Sequence, residues 1–391
     1  MQNTTDPIQL ELRKFVAPEY VFGIDARYLA GNFCKQLGGR KILLVTDFGL
    51  TQTPWLKEVE NSIQQAGVEF VTYSSVSPNP RDYEVMLGVD MYRENKCNCI
   101  LALGGGSVMD CAKGIGIVST NHQPIANFEG VDRIGRPMPP LVCVPTTAGT
   151  AADVSQFAII NNISERYKMA IISKSVVPDV ALIDPVVLTT MDSYLTACTG
   201  MDALSHAIEA YVSNASSPFT NLYAIEAIGL IQENLLYTVE KPNDIQARGK
   251  VMLASLYAGL AFSNASLGCV HSLAHSLGGY LDLAHGECNA ILLPHVVDFN
   301  FTSASGQYKK IAEAFRISID GKNEPEIRKI LIEHLIQFRQ SLGIHSTLAD
   351  KSVKSDDLPH LAGKAIKDPC NATNPKAPVR KDLEVIYSEA M

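Results

Sequence analysis

Short apolar runs alternate with longer amphipathic stretches along the first half of the chain. KILLVTD predicts a strand over 42–46, residues 53–66 a helix, VEFVTYSSV a strand and 81–95 a helix. CILALGGG predicts a strand entering a glycine turn, 107–118 a helix, and PPLVCVPTTAGT a further strand and loop. MAIISKSVVPDVALIDP adds two short strands punctuated by Pro178 and Pro185. This rhythm predicts a parallel, doubly wound sheet. From about residue 187 the texture changes. Stretches rich in Ala, Leu, Ile and Glu over 192–213, 218–237, 244–264, 267–280, 307–316 and 324–342 predict helices with few strand signals. The Pro- and Asn-rich DPCNATNPKAP predicts a loop before a short final helix. The chain thus divides into an α/β domain over 1–186 and an all-helical domain over 187–391, with a hinge expected near residues 184–190.

Composition narrows the classes of function. The chain has 391 residues, 46% hydrophobic and 19% charged, which suits a globular protein with sizeable cores. A net charge of −8 and a pI near 5.6 argue against a nucleic-acid or anionic-membrane surface. No apolar stretch reaches the roughly 18–20 residues of a membrane span. MQNTTDPIQLELRKF lacks the apolar core of a secretory signal, so a cytoplasmic location is expected. The nine cysteines include no C-x-x-C pair and read as buried free thiols. Cys269 lies two before His271, on another helix face, and reads as packing.

The strongest chemical signal is a set of one Asp and several His. Asp202 and His206 stand four apart in TGMDALSHAIEAY, His271 and His275 four apart in CVHSLAHSLGG, and His285 follows in DLAHGECN. Residues four apart lie on one face of a helix, one turn above the other. One helix can therefore offer an oxygen and a nitrogen to one divalent metal. A second helix can add His271, and the turn after it His285. A carboxylate and imidazoles form a first shell for Zn²⁺ or Fe²⁺ with a position left for a substrate oxygen. Spacing leaves open which three or four residues are ligands, since His275 and His295 are also in reach. A lone helical His is usually a core residue bonded to a carbonyl; the clustering here favours a shared metal site.

A cofactor signal lies in the first half. Gly104-Gly105-Gly106-Ser107 follows a buried strand and opens a helix. Glycines permit close approach and positive φ, and the helix start offers free N–H groups to a pyrophosphate. A tight turn reads equally well, and neither G-x-G-x-x-G nor a P-loop is present. Asp47 ends the first strand, where a carboxylate can take an adenosine ribose. It precedes the glycines instead of following them, so either the chain order differs or Asp47 caps the next helix. Asn79, Thr146, Thr147 and Thr150 follow later strands at the same sheet edge.

Taken in order, these motifs resemble the iron-containing (group III) alcohol dehydrogenases along nearly the whole chain. The resemblance runs from FVAPEYVFGIDA through GGGSVMDCAK, PTTAGTAADVS, LIDP, GMDALSHAIEAY, CVHSLAHSLGG and HGECNAILLPHV to DPCNATNPK. It implies a Rossmann-like N-terminal domain, an all-helical C-terminal domain and a cleft between them, the dehydroquinate synthase-like fold. It also implies that Asp202, His206, His271 and His285 ligate Fe²⁺ or Zn²⁺, with His275 near the nicotinamide of NAD. Asp47 matches the ribose acid; Asn79, Gly104, Gly105, Gly106, Ser107, Thr146, Thr147, Thr150 and Lys168 match positions lining the dinucleotide. The implied reaction oxidises a small primary alcohol or diol, or reduces an aldehyde, through a metal-bound alkoxide and hydride transfer to nicotinamide. His275 is the candidate proton relay, and a homodimer or larger homo-oligomer is expected. The family's G-S-E after PTTAGT is here Ala151-Ala152-Asp153, in a form like the lactaldehyde/propanediol reductase branch. Its N-P-R is Asn374-Pro375-Lys376, so any carboxylate pairing there should be weaker. The alternatives are the related glycerol dehydrogenase and dehydroquinate synthase scaffolds, whose ligand sets differ, a metal-stabilised structural protein, and a dehydrogenase-like sensor of alcohol or NAD acting through a partner protein.

Overall fold

The computed structural model describes residues 12–391; most of MQNTTDPIQLELRKF lies outside them. The predicted alternation forms a six-stranded sheet. Its strands are β1 (Glu19–Phe22), β2 (Lys41–Asp47), β3 (Glu69–Val76), β4 (Cys99–Gly104), β6 (Leu141–Pro145) and β9 (Val180–Ile183). All pair in parallel, in the order β1-β9-β6-β4-β2-β3. β4, β6 and β9 are buried along their whole length, as a sheet covered on both faces requires. Covering them are α1 (Ala30–Gln36), α2 (Pro54–Gln65), α3 (Asp82–Glu94) and α4 (Gly106–Asn121).

A second, three-stranded sheet was not legible as such. It orders β5 (Gly130–Val131), β8 (Tyr167–Ile172) and β7 (Phe157–Asn162) as β5-β8-β7, with β7 and β8 an antiparallel hairpin. Beyond residue 190 there is no strand. The helices are α5 (Ser193–Val212), α6 (Pro218–Glu240), α7 (Ile245–Ala265), α8 (Cys269–Leu281), α9 (His285–Asn300), α10 (Ser305–Ala314), α11 (Glu324–Ser341), α12 (Leu358–Ala365) and α13 (Arg380–Glu389). α9 corrects the reading of His285 as a turn residue: it is the first residue of a helix. DPCNATNPKAP is not plain loop either, since Pro369–Thr373 forms a 3₁₀ turn capped by Asp368. Among the described residues no single helix is long and apolar enough to cross a membrane.

The strand order decides where a ligand can bind. From β2 the chain moves outward to β3, returns past β2 to β4, and then continues in the opposite direction to β6 and β9. The reversal leaves a crevice at the carboxyl ends of β2 and β4, the usual ligand position in open parallel sheets. Asp47 ends β2, and the glycine turn follows β4. The acid therefore precedes the glycines in sequence yet stands beside them in space.

Between sheet and helices the chain runs through a 3₁₀ segment, Pro185–Thr190, capped by Asp184. The Asp184 side chain is fully buried and accepts from Arg27 Nη1 at 2.5 Å. Arg27 also pairs with Glu58 at 2.6 Å and lies over the Tyr28 ring at 4.2 Å. Removing one partner of a buried pair leaves an uncompensated charge and costs about 3–5 kcal/mol. Arg27→Met should thus lower stability by about that amount, read as a shift in the urea midpoint of N-terminal unfolding.

Candidate metal centre and cofactor cleft

Three helices meet at one carboxylate oxygen. Asp202 and His206 project from one face of α5, His271 from the first turn of α8, and His285 from the start of α9. Asp202 Oδ1 lies 3.8 Å from His206 Nε2, 3.6 Å from His271 Nε2 and 3.7 Å from His285 Nε2. Metal bonds of about 2.0–2.2 Å would set tetrahedral donors roughly 3.3–3.6 Å apart. The spacing and the N/O chemistry of the donors therefore fit a divalent cation. All three nitrogens are Nε2, so each ring approaches Asp202 by the same atom.

The other two histidines separate from this group. His275 donates Nδ1 to Asp368 at 2.8 Å and stacks on His285 with centroids 5.3 Å apart. It stands beside the donor set without facing Asp202. His295 lies ten residues along α9 from His285, ~15 Å away along the axis, so it is out of reach.

Local packing explains why the chain folds into this arrangement. A Cβ on Gly286 would lie 2.4 Å from the Cys198 carbonyl oxygen, so the Gly after His285 lets α9 start against α5 one turn before Asp202. A Cβ on Gly279 would lie 2.5 Å from Tyr167 Cα, so α8 sits flush on β8 and brings Lys168 to the chamber. Asn289, one turn along α9 from His285, donates Nδ2 to Asp202 Oδ1 at 2.6 Å. Glu209, one turn along α5 from His206, reaches His271 Nδ1 at 2.5 Å.

Electrostatics follow from burial and these partners. Burial pushes Asp202 up, but His206, His271 and His285 outweigh it and hold the carboxylate well below its usual range. Burial drives His206 down to about 3 and lowers His285 as well. Burial also pulls His271 down, but Glu209 and Asp202 carry it up to about 9.

The cofactor residues line a cleft of about 640 Å³ that reaches from Asp47 to Gly286. Asn79, Gly105, Gly106, Ser107, Thr146, Thr147 and Thr150 line it, and Asp202 and His285 close its far end. Gly104 is buried under the turn, and Lys168 lines the adjoining chamber, whose walls Asn79, Gly106, Ser107 and Thr150 share with the cleft. One expectation needs correction: the glycines do not adopt positive φ. They are required by contact: a Cβ would lie 2.5 Å from the Val108 side chain at Gly104 and 2.6 Å from that of Thr150 at Gly106. Asp47 caps the turn that follows it, since Oδ1 accepts from Leu50 N at 3.0 Å, and the residue also lines the cleft.

The departures also resolve. Ala151 has φ +46°, a left-handed conformation that favours the family's Gly. Its methyl is accommodated because position 259 is glycine: a Cβ there would lie 2.3 Å from Ala151 Cβ. Asp153 is buried, which pushes its carboxyl up to about 6. Among the described residues Lys376 forms no salt bridge with a carboxylate; its Nζ lies 3.8 Å from the centroid of the Phe299 ring.

Four polar residues around the site escaped the sequence reading: Glu209, Asn289, Asp110 and Lys113. Asp110 lines the chamber, and burial pushes its carboxyl up to about 7. Lys113 is fully buried and donates to the carbonyls of Ser155 at 2.9 Å and Phe157 at 2.6 Å. Charged residues in otherwise apolar helices were the available signal for Glu209, Asp110 and Lys113. Asn289, one turn after His285, carried only its helical spacing.

Comparison with known proteins follows the same two halves. The family model for iron-containing alcohol dehydrogenase matches residues 17–185, and that for the C-terminal part of the family matches 196–391. The 1,3-propanediol dehydrogenase of Citrobacter freundii is 38% identical over 371 residues, covering 94% of this chain and 96% of that protein. The NAD-dependent methanol dehydrogenase of Bacillus methanolicus is 37% identical, covering 96% and 99%. A crystal structure of 1,3-propanediol oxidoreductase superposes with a TM-score of 0.94 at 37% identity, covering 97% of this chain and all of that one.

Gly286→Ala should test the packing argument. Overpacking costs about 1–3 kcal/mol, which here would push His285 away from Asp202. Metal content after dialysis should fall about tenfold or more, with helical circular dichroism retained.

Proposed function

Since the chain belongs to the iron-containing alcohol dehydrogenase family, we propose that Asp202, His206, His271 and His285 hold one divalent metal, and that the Asp47–Gly286 cleft holds NAD. The protein is a metal-dependent alcohol dehydrogenase or aldehyde reductase. The observation that carries the site assignment is the convergence of the donor atoms on Asp202 Oδ1 at the end of the cleft that begins with the glycine turn. The two domains of this reading are 1–186 and 187–391.

Each residue then has a task. The N–H groups at the start of α4 take the pyrophosphate, and Asp47 takes the adenosine ribose. A metal held at Asp202 supplies Lewis-acid polarisation of the substrate oxygen, while nicotinamide carries the hydride. His275 Nδ1–H donates a hydrogen bond to Asp368, which fixes the tautomer and leaves Nε2 free to accept the alcohol proton. It lines both the metal chamber and a side cavity of about 310 Å³, so the proton has an exit. Phe157, Ile159, Phe262 and Leu267 wall a chamber of only about 100 Å³, which supports small primary alcohols or diols as substrates.

Fe²⁺ is the proposed metal, with Zn²⁺ its competitor. The donor set contains no thiolate, and Cys269 Sγ turns to Asn371, so nothing in the shell selects for zinc by softness. A cytoplasmic location is proposed on the strength of nine buried free thiols. A homo-oligomer is proposed because the outer edge of β1 pairs with no strand among the described residues, and Tyr20 and Phe22 are exposed there.

Purified protein loaded with Fe²⁺ should reduce NAD in the presence of short primary alcohols, followed by NADH absorbance. His206→Ala should lose bound metal and nearly all turnover while keeping most of the fold. His275→Ala should keep the metal and lose rate. Full metal content and near-normal rate in His206→Ala would overturn the ligand assignment.

Coenzyme choice gives a separate test. Asp47 places a negative charge where the 2′-phosphate of NADP would sit. Like charges about 4 Å apart cost roughly 1–4 kcal/mol at effective dielectrics of 80 to 20. The wild type should prefer NAD over NADP by about tenfold or more in kcat/KM, and Asp47→Gly should narrow that ratio or invert it. Equal use of both coenzymes by the wild type would leave Asp47 a capping residue only.

A further inference from the structure

We infer that Glu209 is the second anion of the metal centre, a positioning residue that balances the charge of the cation and keeps the proton of His271 on Nδ1. The inference rests on the reading of Asp202 and its three histidines as a metal site.

Geometry comes first. Glu209 is 4% exposed, and both of its oxygens are committed to α8. Oε1 accepts from Val270 N at 2.7 Å, and Oε2 lies 2.5 Å from His271 Nδ1. These groups belong to the first turn of α8, where the helix dipole favours an anion. Gly268 leaves the space, since a Cβ there would lie 3.0 Å from Glu209 Oε1. Among the described residues no lysine or arginine forms an ion pair with Glu209, so His271 is its only ionisable partner within ion-pair distance.

Charge supplies the second argument. A divalent cation with Asp202 and three neutral imidazoles carries a net charge of plus one in an apolar core. Burying an unbalanced charge there is costly. Lys168 from β8 and Asp110 from α4 face the same chamber, and Asp368 is committed to His275, which is not a ligand in this reading. Glu209 is the buried carboxylate bonded directly to one of the ligand imidazoles, and so the one placed to offset the excess charge of the centre.

The proton supplies the third. A carboxylate at Nδ1 can only accept, so the ring proton sits on Nδ1 and the Nε2 lone pair faces Asp202. A glutamine in its place could use its single oxygen for Val270 N and turn its NH₂ toward Nδ1. That arrangement favours the tautomer with the proton on Nε2, where the metal has to bind.

The test is metal affinity. The full-length protein is stripped with chelator and titrated with Co²⁺ against a chromophoric competitor, for wild type, Glu209→Gln and Glu209→Asp. Glu209→Gln keeps the shape and loses the charge; Glu209→Asp keeps the charge and loses a methylene. The expected order is wild type, then Asp, then Gln, with Gln weaker by about 10–100-fold. A packing role predicts the reverse order, because glutamine is isosteric. Gln binding as tightly as wild type, or Asp binding more weakly than Gln, overturns the inference. Near-UV circular dichroism and NAD binding check the fold of each metal-free variant. If Gln fails that check, Asp is compared with His271→Ala: affinity within about tenfold of wild type supports the inference, and affinity as weak as His271→Ala overturns it. A wild type that takes up no Co²⁺ instead brings down the metal-site reading itself.

Discussion

A carboxylate that is 2% exposed, set among helices rich in Ala and Leu, is the constraint around which the C-terminal half is organised. Desolvating an ion costs several kcal/mol, and Asp202 is kept ionised only by what faces it. Those partners arrive from three helices: His206 from its own, His271 from α8, and His285 and Asn289 from α9. Each helix must approach α5 closely enough to deliver a ring nitrogen within 4 Å of one oxygen. Glycines make that approach possible. Gly286 passes the Cys198 carbonyl, and a Cβ on Gly149 would lie 2.6 Å from the Thr199 carbonyl oxygen, so the loop after β6 also packs against the α5 backbone. Gly286 thus serves the buried anion directly, by letting α9 bring His285 to Asp202.

The sheet solves a separate problem, and the two solutions meet at one end. Parallel strands direct their carboxyl ends the same way, and the reversal of strand order opens a crevice between β2 and β4. Asp47 and the glycine turn stand at that crevice, and the cleft leads from there toward Asp202 and His285. Hydride transfer needs reacting atoms within about 3–3.5 Å, so the proposed reaction requires both halves at this one end. The Arg27–Asp184 pair anchors the chain where the sheet ends, just ahead of the 3₁₀ segment that leads into α5. Stability of that junction and geometry of the site are thus linked through a few buried charges.

Most of this was legible where periodicity or spacing carries the information. The parallel strands read as unbroken apolar runs, and the long helices as periodic stretches, because burial on two faces or on one stripe leaves that trace. The i, i+4 spacing of Asp202 and His206 survives folding because a helix preserves it. Other features left no local trace. The β7–β8 hairpin was half seen, since FAIINN is short and its partner MAII looked sufficient alone. His295 looked available because sequence distance does not show that α9 carries it away along its axis. Asp368, Asn371 and Asn374 come from a Pro- and Asn-rich tail that read as loop, yet they engage His275, Ser272 and the first N–H of α8. Such contacts join residues about a hundred positions apart, and no pattern within either segment announces them.

The apolar wall of the chamber rests on a buried lysine outside the donor set. Lys113 is buried with burial lowering its affinity for a proton, and no carboxylate forms a salt bridge with it among the described residues. It is held instead by the carbonyls of Ser155 and Phe157, which can only accept a hydrogen bond. Those bonds fix the chain where it leaves the Ala151–Asp153 turn and enters β7. Phe157 and Ile159 then point into the chamber, and Phe157 meets Phe262 edge-on at 5.6 Å. Phe262 in turn stacks on His206 at 4.2 Å. The apolar wall of the chamber is therefore continuous with the His206 imidazole on one side and with the GGGSVMDCAK helix on the other. A substitution at Phe157 or Phe262 should therefore disturb the chamber wall and the His206 ring together, because the contacts run in series from Lys113 of α4 through Phe157 and Phe262 to that ring.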